Sequence, residues 1–251
     1  MTYCLGILSK EGVIGLADTR ITTGTDTTTA KKIYTVNRKK GAFFIMTSGL
    51  RSIRDKAITY FNEVVENDAT TFTKLYEVVN KFAEQVKLVA AEDKLALTHA
   101  GLHFNLHAII GGQLANDKAP KLFLLYAEGN WIEIGPGTPY VIIGNVGYGI
   151  PILKRSLTYD SSLEFGLKSG FLSFDATRIS ANDVDYPIDT AILRKDTFQL
   201  IEKRFEEKDL RHLSEHWDTS LKVAINQLPS INLKTSFEKD DAQLSIENYE
   251  I

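Results

Sequence analysis

Two short apolar runs constrain this chain more than any other feature. Tyr3 to Leu8 and Val13 to Ala17 are nearly continuous in hydrophobic residues, and Lys10-Glu11-Gly12 punctuates them. A strand with one wet face alternates apolar and polar residues, whereas a strand covered on both faces does not. The two runs therefore read as a hairpin of strands buried on both faces. A hairpin of that kind needs a layer above it and another below. With 251 residues the chain is long enough to supply them, since a chain of this size buries roughly three-quarters of its unfolded surface.

The rest of the pattern supplies the layers. Ile33 to Val36 and Ala42 to Thr47 predict a second hairpin, turning at Asn37 to Gly41. The period then changes. Leu50, Ile53, Ala57, Phe61, Val64 and Val65 follow helical spacing, as do Leu75, Val79, Phe82, Val86 and Val89, with Asn67-Asp68 between the two helices. Strand-like runs follow at Leu106 to Gly111, Leu122 to Tyr126, Trp131 to Ile134 and Tyr140 to Ile143. A helix carries Leu163, Leu167, Phe171 and Phe174, and Ile188 to Leu193 is again strand-like. A closing helix carries a stripe of Leu210, Leu213, Trp217, Leu221, Ala224 and Leu228 that should be buried. Grouped strands and grouped helices argue for α+β layers, not alternating βαβ units. Two antiparallel sheets between two helix layers would bury both faces of the apolar strands. One domain over residues 1–251 is expected, with a C-terminal helical extension from about 205. The 21–30 segment, with its Thr27-Thr28-Thr29 run, reads as a loop, either substrate-facing or merely solvated.

Charge and composition exclude several functions. The net charge is -3, and the longest basic runs are Lys31-Lys32 and Arg38-Lys39-Lys40. A nucleic-acid binder usually shows a basic excess, so no nucleic-acid partner is expected. No apolar stretch approaches the roughly 18 residues of a membrane span. The start of the chain has no leading positive charge, no long apolar segment and no small-residue cleavage site. A cytoplasmic protein without a membrane partner is expected. Cys4 is the only cysteine, which excludes an intrachain disulfide and multi-cysteine metal sites. No cofactor is expected.

The chemistry starts at Thr2. Removal of Met1 would put a hydroxyl and a free α-amine on one residue. Such an amine titrates at about 7.7–8 and can act as general base to its neighbouring hydroxyl. Taken alone, a threonine at position 2 is weak support. The hairpin register strengthens it. Residues facing each other across the Lys10-Glu11 turn have numbers summing to about 20 or 21, which puts Thr2 opposite Asp18 or Thr19. Lys32, just before Ile33, is the candidate cation for that carboxylate. A lysine paired with a buried acid beside a hydroxyl lowers the cost of forming the alkoxide. The plainer alternative is that Asp18 is a turn residue and Lys31-Lys32 a solvated pair.

Thr2, the apolar strand, "GLADTR" at 15–20 and "KKI" at 31–33 together resemble the proteasome β-subunit superfamily of N-terminal-nucleophile (Ntn) hydrolases. The resemblance is closer to its bacterial Anbu branch. "MTYC" at the start, "IGNVGYGIPIL" at 143–153, "LTYDSSLEFGLKSGFLSFDAT" at 157–177 and "YPID" at 186–189 are similar to segments of that branch, in the same order. It spans roughly residues 1–195. It implies a four-layer αββα sandwich and threonine-peptidase chemistry in a homo-oligomeric ring or helical stack, acting on a peptide or protein substrate. By the resemblance, Thr2 would be the nucleophile, Lys32 would support the alkoxide, and Asp18 would hold Lys32 charged. Arg20 matches an arginine that is structural in the family. A backbone N–H between Met46 and Gly49 would stabilise the oxyanion, an effect worth about 3–4 kcal/mol in a well-studied hydrolase.

The chain also departs from the family pattern. Proteasomal subunits orient the amine with a serine in a Gly-rich turn and an Asp-x-x-Ser pair. Here the turn reads Gly144-Asn145-Val146-Gly147, and the pair falls at Ser180 and Asp183. Asn145, Ser180 and Asp183 are candidate supports for the amine, or ordinary loop residues. This departure motivates an alternative, a weakly active or inactive self-assembling homologue with a structural or binding role. Competing motifs are poorer. "HLSEH" at 212–216 matches a zinc-peptidase pattern, but His212 and His216 point away from the expected buried stripe. His99, His103 and His107 straddle a loop-to-strand boundary, so no metal is expected. Cys4 lies inside an apolar strand and reads as a small buried hydrophobe. Gly135-Pro136-Gly137 lacks the Lys-Ser/Thr of a phosphate loop and reads as a turn.

Overall fold

The computed structural model describes residues 2–23, 26–66 and 72–229. Met1 and the expected linker at Asn67-Asp68 lie outside them. The first two strands, β1 (Tyr3–Ser9) and β2 (Gly12–Asp18), form the expected hairpin, and every residue of both is buried. Cys4 pairs with Ala17 and Ser9 with Gly12, so facing residues sum to 21. The 21–30 segment is not a loop. Its strands β3 (Arg20–Thr23) and β4 (Asp26–Thr29) pair as a two-stranded ribbon. Threonine is β-branched and favours extended backbone even where no apolar alternation announces a strand.

Next come β5 (Ile33–Arg38) and β6 (Gly41–Gly49), joined by a tight turn at Lys39-Lys40. Two helices follow, α1 (Arg51–Glu66) and α2 (Leu75–His99). Then β7 (Leu106–Leu114), β8 (Lys121–Leu125), β9 (Trp131–Glu133) and β10 (Tyr140–Gly144) take the expected places. The short helix α3 (Ile150–Ser156) has no counterpart in the helical spacing read from the sequence. Proline is tolerated in a first helical turn, where its missing N–H has no partner to lose. In α4 (Leu163–Arg178) the Ser162 hydroxyl caps the helix by accepting the Phe165 N–H. The following strands are β11 (Ile188–Arg194) and β12 (Leu200–Phe205). β12 was also not expected. Leu200 is its only buried residue, and its charged positions show an edge strand that carries no hydrophobic run.

All pairings are antiparallel, in two five-stranded sheets ordered β10-β1-β2-β11-β12 and β5-β6-β7-β8-β9. The chain is therefore α+β, as expected. The pleat of β1 explains its unbroken burial. Tyr3, Leu5 and Ile7 pack with Phe171 and Phe174 of α4, while Cys4 and Leu8 pack with Phe44, Met46, Ile109 and Leu122 of the second sheet. The other face of that sheet packs Phe43, Ile45 and Ile110 against Phe61 of α1 and Phe82 of α2. Each fully buried Leu, Ile or Phe contributes about 1.5–3 kcal/mol, so the doubly covered hairpin anchors the fold.

The chain divides into two compact units, Met1–Ser214 and Glu215–Ile251. The helix α5 (Glu207–Asn226) begins near the expected position. Its expected stripe is not buried throughout. Leu210 is buried and Leu213 packs on the cluster around Phe174, but Leu221, Ala224 and Leu228 are exposed. Helical spacing shows which residues share a face, not whether another element covers it. No helix among the described residues is long and apolar enough to cross a membrane.

Candidate active site

Thr2 sits where the chain enters β1, and it is buried. The peptide group that follows it is pinned through both its polar atoms. Its carbonyl accepts the Asn145 N–H at 2.7 Å, and the Tyr3 N–H donates to Asp18 Oδ1 at 2.8 Å. The register thus places the acid beside Tyr3, one residue beyond Thr2. Asp18 ends β2, and Lys32 immediately precedes β5. Lys32 Nζ donates to the same Asp18 Oδ1 at 2.7 Å and to the Arg20 carbonyl at 2.6 Å. Both side chains of this ion pair are fully buried. Burial pushes the Asp18 carboxyl above its ordinary range, and the Lys32 ammonium opposes that rise. Asp18 Oδ2 is buried without a hydrogen-bond partner among the described residues.

Thr2 opens onto a cleft of about 810 Å³. Ser48, Gly49, Ile143 and Gly144 line it beside Thr2. Arg20 also lines it, with its guanidinium on Asp185 at 2.8 Å. Asn145 reaches the site through its backbone N–H. Ser180 and Asp183 are in the segment after α4, and neither is among the described residues lining the cleft. Of the clustered histidines, His103 and His107 line the cleft, whereas His99 is exposed at the end of α2. His212 and His216 are exposed on α5. Cys4 is wholly buried, and burial pushes its thiol up to about 12. A thiol of that kind is not a thiolate nucleophile at neutral pH.

Two cleft residues escaped the sequence reading. Ser48 follows Thr47 near the end of β6, where a serine has no distinguishing signature. Arg54 is buried in the first turns of α1 and donates its Nε–H to Thr47 Oγ1 at 3.0 Å. It lies four residues after Leu50 and three before Ala57, on the helical stripe of buried residues, and that spacing is the signal that separates it from the exposed Arg51.

Two glycines are required by the local backbone. Gly49 and Gly144 have φ of +129° and +90°, values that L side chains rarely adopt. A Cβ on Gly144 would lie 1.9 Å from the Thr2 carbonyl oxygen. Gly144→Ala is therefore expected to cost about 1–3 kcal/mol from the backbone conformation alone, read as a lower denaturation midpoint. Because the displaced group is Thr2 itself, labelling of Thr2 by a hydroxyl-reactive probe should fall more steeply than stability.

No family model matches the chain, and no curated protein matches it. Solved structures do. An Anbu (Gly-1) mutant from Hyphomicrobium sp. strain MC1 is 29% identical over 92% of this chain and 100% of its own, with a TM-score of 0.85. Anbu (ancestral beta-subunit) from Yersinia bercovieri is 25% identical over 92% and 99%, with a TM-score of 0.85. A helical assembly of the Anbu complex from Pseudomonas aeruginosa is 27% identical over 91% and 98%, with a TM-score of 0.84. These likenesses, over 91–92% of this chain and nearly the whole of theirs, support an Anbu-like homologue of the proteasome β-subunit kind.

Proposed function

We propose that this chain is a cytoplasmic threonine hydrolase that cleaves peptide or amide bonds, on a four-layer αββα Ntn-hydrolase sandwich and within a homo-oligomeric assembly. The observation that carries this reading is the wholly buried Lys32–Asp18 pair, tied through Asp18 to the peptide between Thr2 and Tyr3. A buried ion pair is weak support for stability, because desolvation offsets most of its attraction. Tied to the peptide after Thr2, which lines the cleft, it has a chemical use. Thr2 Oγ1 attacks the substrate carbonyl while its α-amine, freed by loss of Met1, takes the proton. The tetrahedral intermediate collapses to an ester on Thr2 as the same amine returns the proton to the leaving nitrogen. Water then attacks the ester, again with the amine as base, and releases the acid. Lys32 lowers the cost of negative charge on Oγ1, and Asp18 keeps Lys32 in place.

A second reading has its own support. The chain departs from the family's amine-orienting pattern at Asn145, Ser180 and Asp183. The helical assembly described for the Pseudomonas aeruginosa relative gives a non-catalytic homologue a structural role. Intact mass after treatment with an N-terminal-threonine-reactive β-lactone or epoxyketone separates the two. One adduct is expected on protein that has lost Met1. Unlabelled protein that has lost Met1 would favour the assembly reading.

A further inference from the structure

The cleft holds a cation that the proposed hydrolysis does not use. Arg54 is only 6% exposed, yet it lines the cleft shared with Thr2. Its neighbours in the lining have acids of their own. Arg51 pairs with Asp55 at 3.2 Å and Arg20 with Asp185 at 2.8 Å, and Lys32 below is committed to Asp18. Arg54 has the Thr47 hydroxyl as a neutral partner, and among the described residues no carboxylate lies within ion-pairing distance of its guanidinium. None of the described residues lining the cleft is acidic, and the imidazoles of His103 and His107 add nitrogen-bearing groups to its wall.

A guanidinium carries five N–H donors in a fixed fork. Withdrawing such a cation from water without a counter-ion is unfavourable, and a protein recovers that free energy when an anion arrives. A carboxylate matches the fork geometry and accepts two parallel hydrogen bonds. The cleft volume accommodates a few residues of extended peptide. Resting on the hydrolase reading for what the cleft does, we propose that Arg54 determines specificity by taking the carboxylate of an Asp or Glu side chain next to the bond that Thr2 attacks. The preferred substrates are then acidic peptides.

Binding tests this without relying on turnover. In full-length Thr2→Ala protein, the affinity of a fluorescein-labelled hexapeptide with a central Glu is compared with that of its Gln isostere by anisotropy. The Glu peptide should bind at least tenfold more tightly, and the preference should fall to about onefold in Thr2→Ala/Arg54→Met. Methionine fills similar volume without a charge, so this variant should fold with undiminished stability. A purely structural arginine would instead lower the midpoint and leave the Glu-to-Gln ratio untouched. Equal affinities, no binding of either peptide, or a preference that survives Arg54→Met would each overturn the assignment. The hydrolase reading fails separately, if unsubstituted protein that has lost Met1 binds the Glu peptide with this preference but never cleaves it.

Discussion

Lys32→Ala should lower the unfolding free energy by about 3–5 kcal/mol, the usual cost of removing one partner from a buried pair. Two things are lost together. Asp18 is left as an uncompensated buried carboxylate, and the Arg20 carbonyl loses its donor. The deficit should depend on pH. Burial already raises the Asp18 carboxyl, and removing Lys32 takes away the largest opposing influence. A carboxyl whose folded pKa exceeds its unfolded value, about 4, favours the folded state below that value. The benefit disappears as pH rises through the folded pKa. The gap between Lys32→Ala and the parent protein should thus be widest at neutral pH and narrow on acidification, since below the folded pKa both proteins hold a neutral Asp18. Urea titrations at several pH values read this directly. A gap that is flat with pH would mean that Asp18 does not bear the charge.

Thr2→Ala should abolish hydrolysis while leaving the fold in place. Removing the nucleophile of a hydrolase costs on the order of 10⁶-fold in kcat, which would take any measurable rate to background. The substitution spares the two bonds that position the residue, because both belong to the backbone. Its denaturation midpoint should therefore stay close to that of the parent. Thr2→Ser keeps an oxygen nucleophile and should keep part of the rate. If Thr2→Ala and the parent cleave a peptide equally, the nucleophile lies elsewhere.

How far the sequence reveals this arrangement depends on which physical signal each part carries. The β1–β2 hairpin is legible because burial on both faces leaves an almost unbroken apolar run. Its register follows from the Lys10-Glu11 turn, and with it the approach of Asp18 to the peptide after Thr2. The Lys32–Asp18 bond needs one more step, since β5 lies in the other sheet and nothing in the spacing of residues 19–31 shows how they turn. The ribbon β3–β4 escapes a hydrophobic pattern because its threonine-rich sequence carries no apolar alternation, and the edge strand β12 escapes it because Leu200 is its only buried residue. Arg54 is legible only as a charged residue on the apolar stripe of α1. Its meaning comes from which acids its neighbours engage, and that is a property of the assembled cleft.

The pairing order also sets a timetable. β1 meets β2 within a few residues, but the Asn145 N–H that holds the Thr2 carbonyl and the β11 strand that borders β2 emerge far later in synthesis. At roughly 5–20 residues per second, about 140 residues occupy a ribosome for on the order of ten seconds. Throughout that interval the peptide ahead of β1 lacks its final partner and stays open to a processing aminopeptidase. On the hydrolase reading, loss of Met1 within that interval would precede closure of the sheet, and maturation would require no self-cleavage after folding.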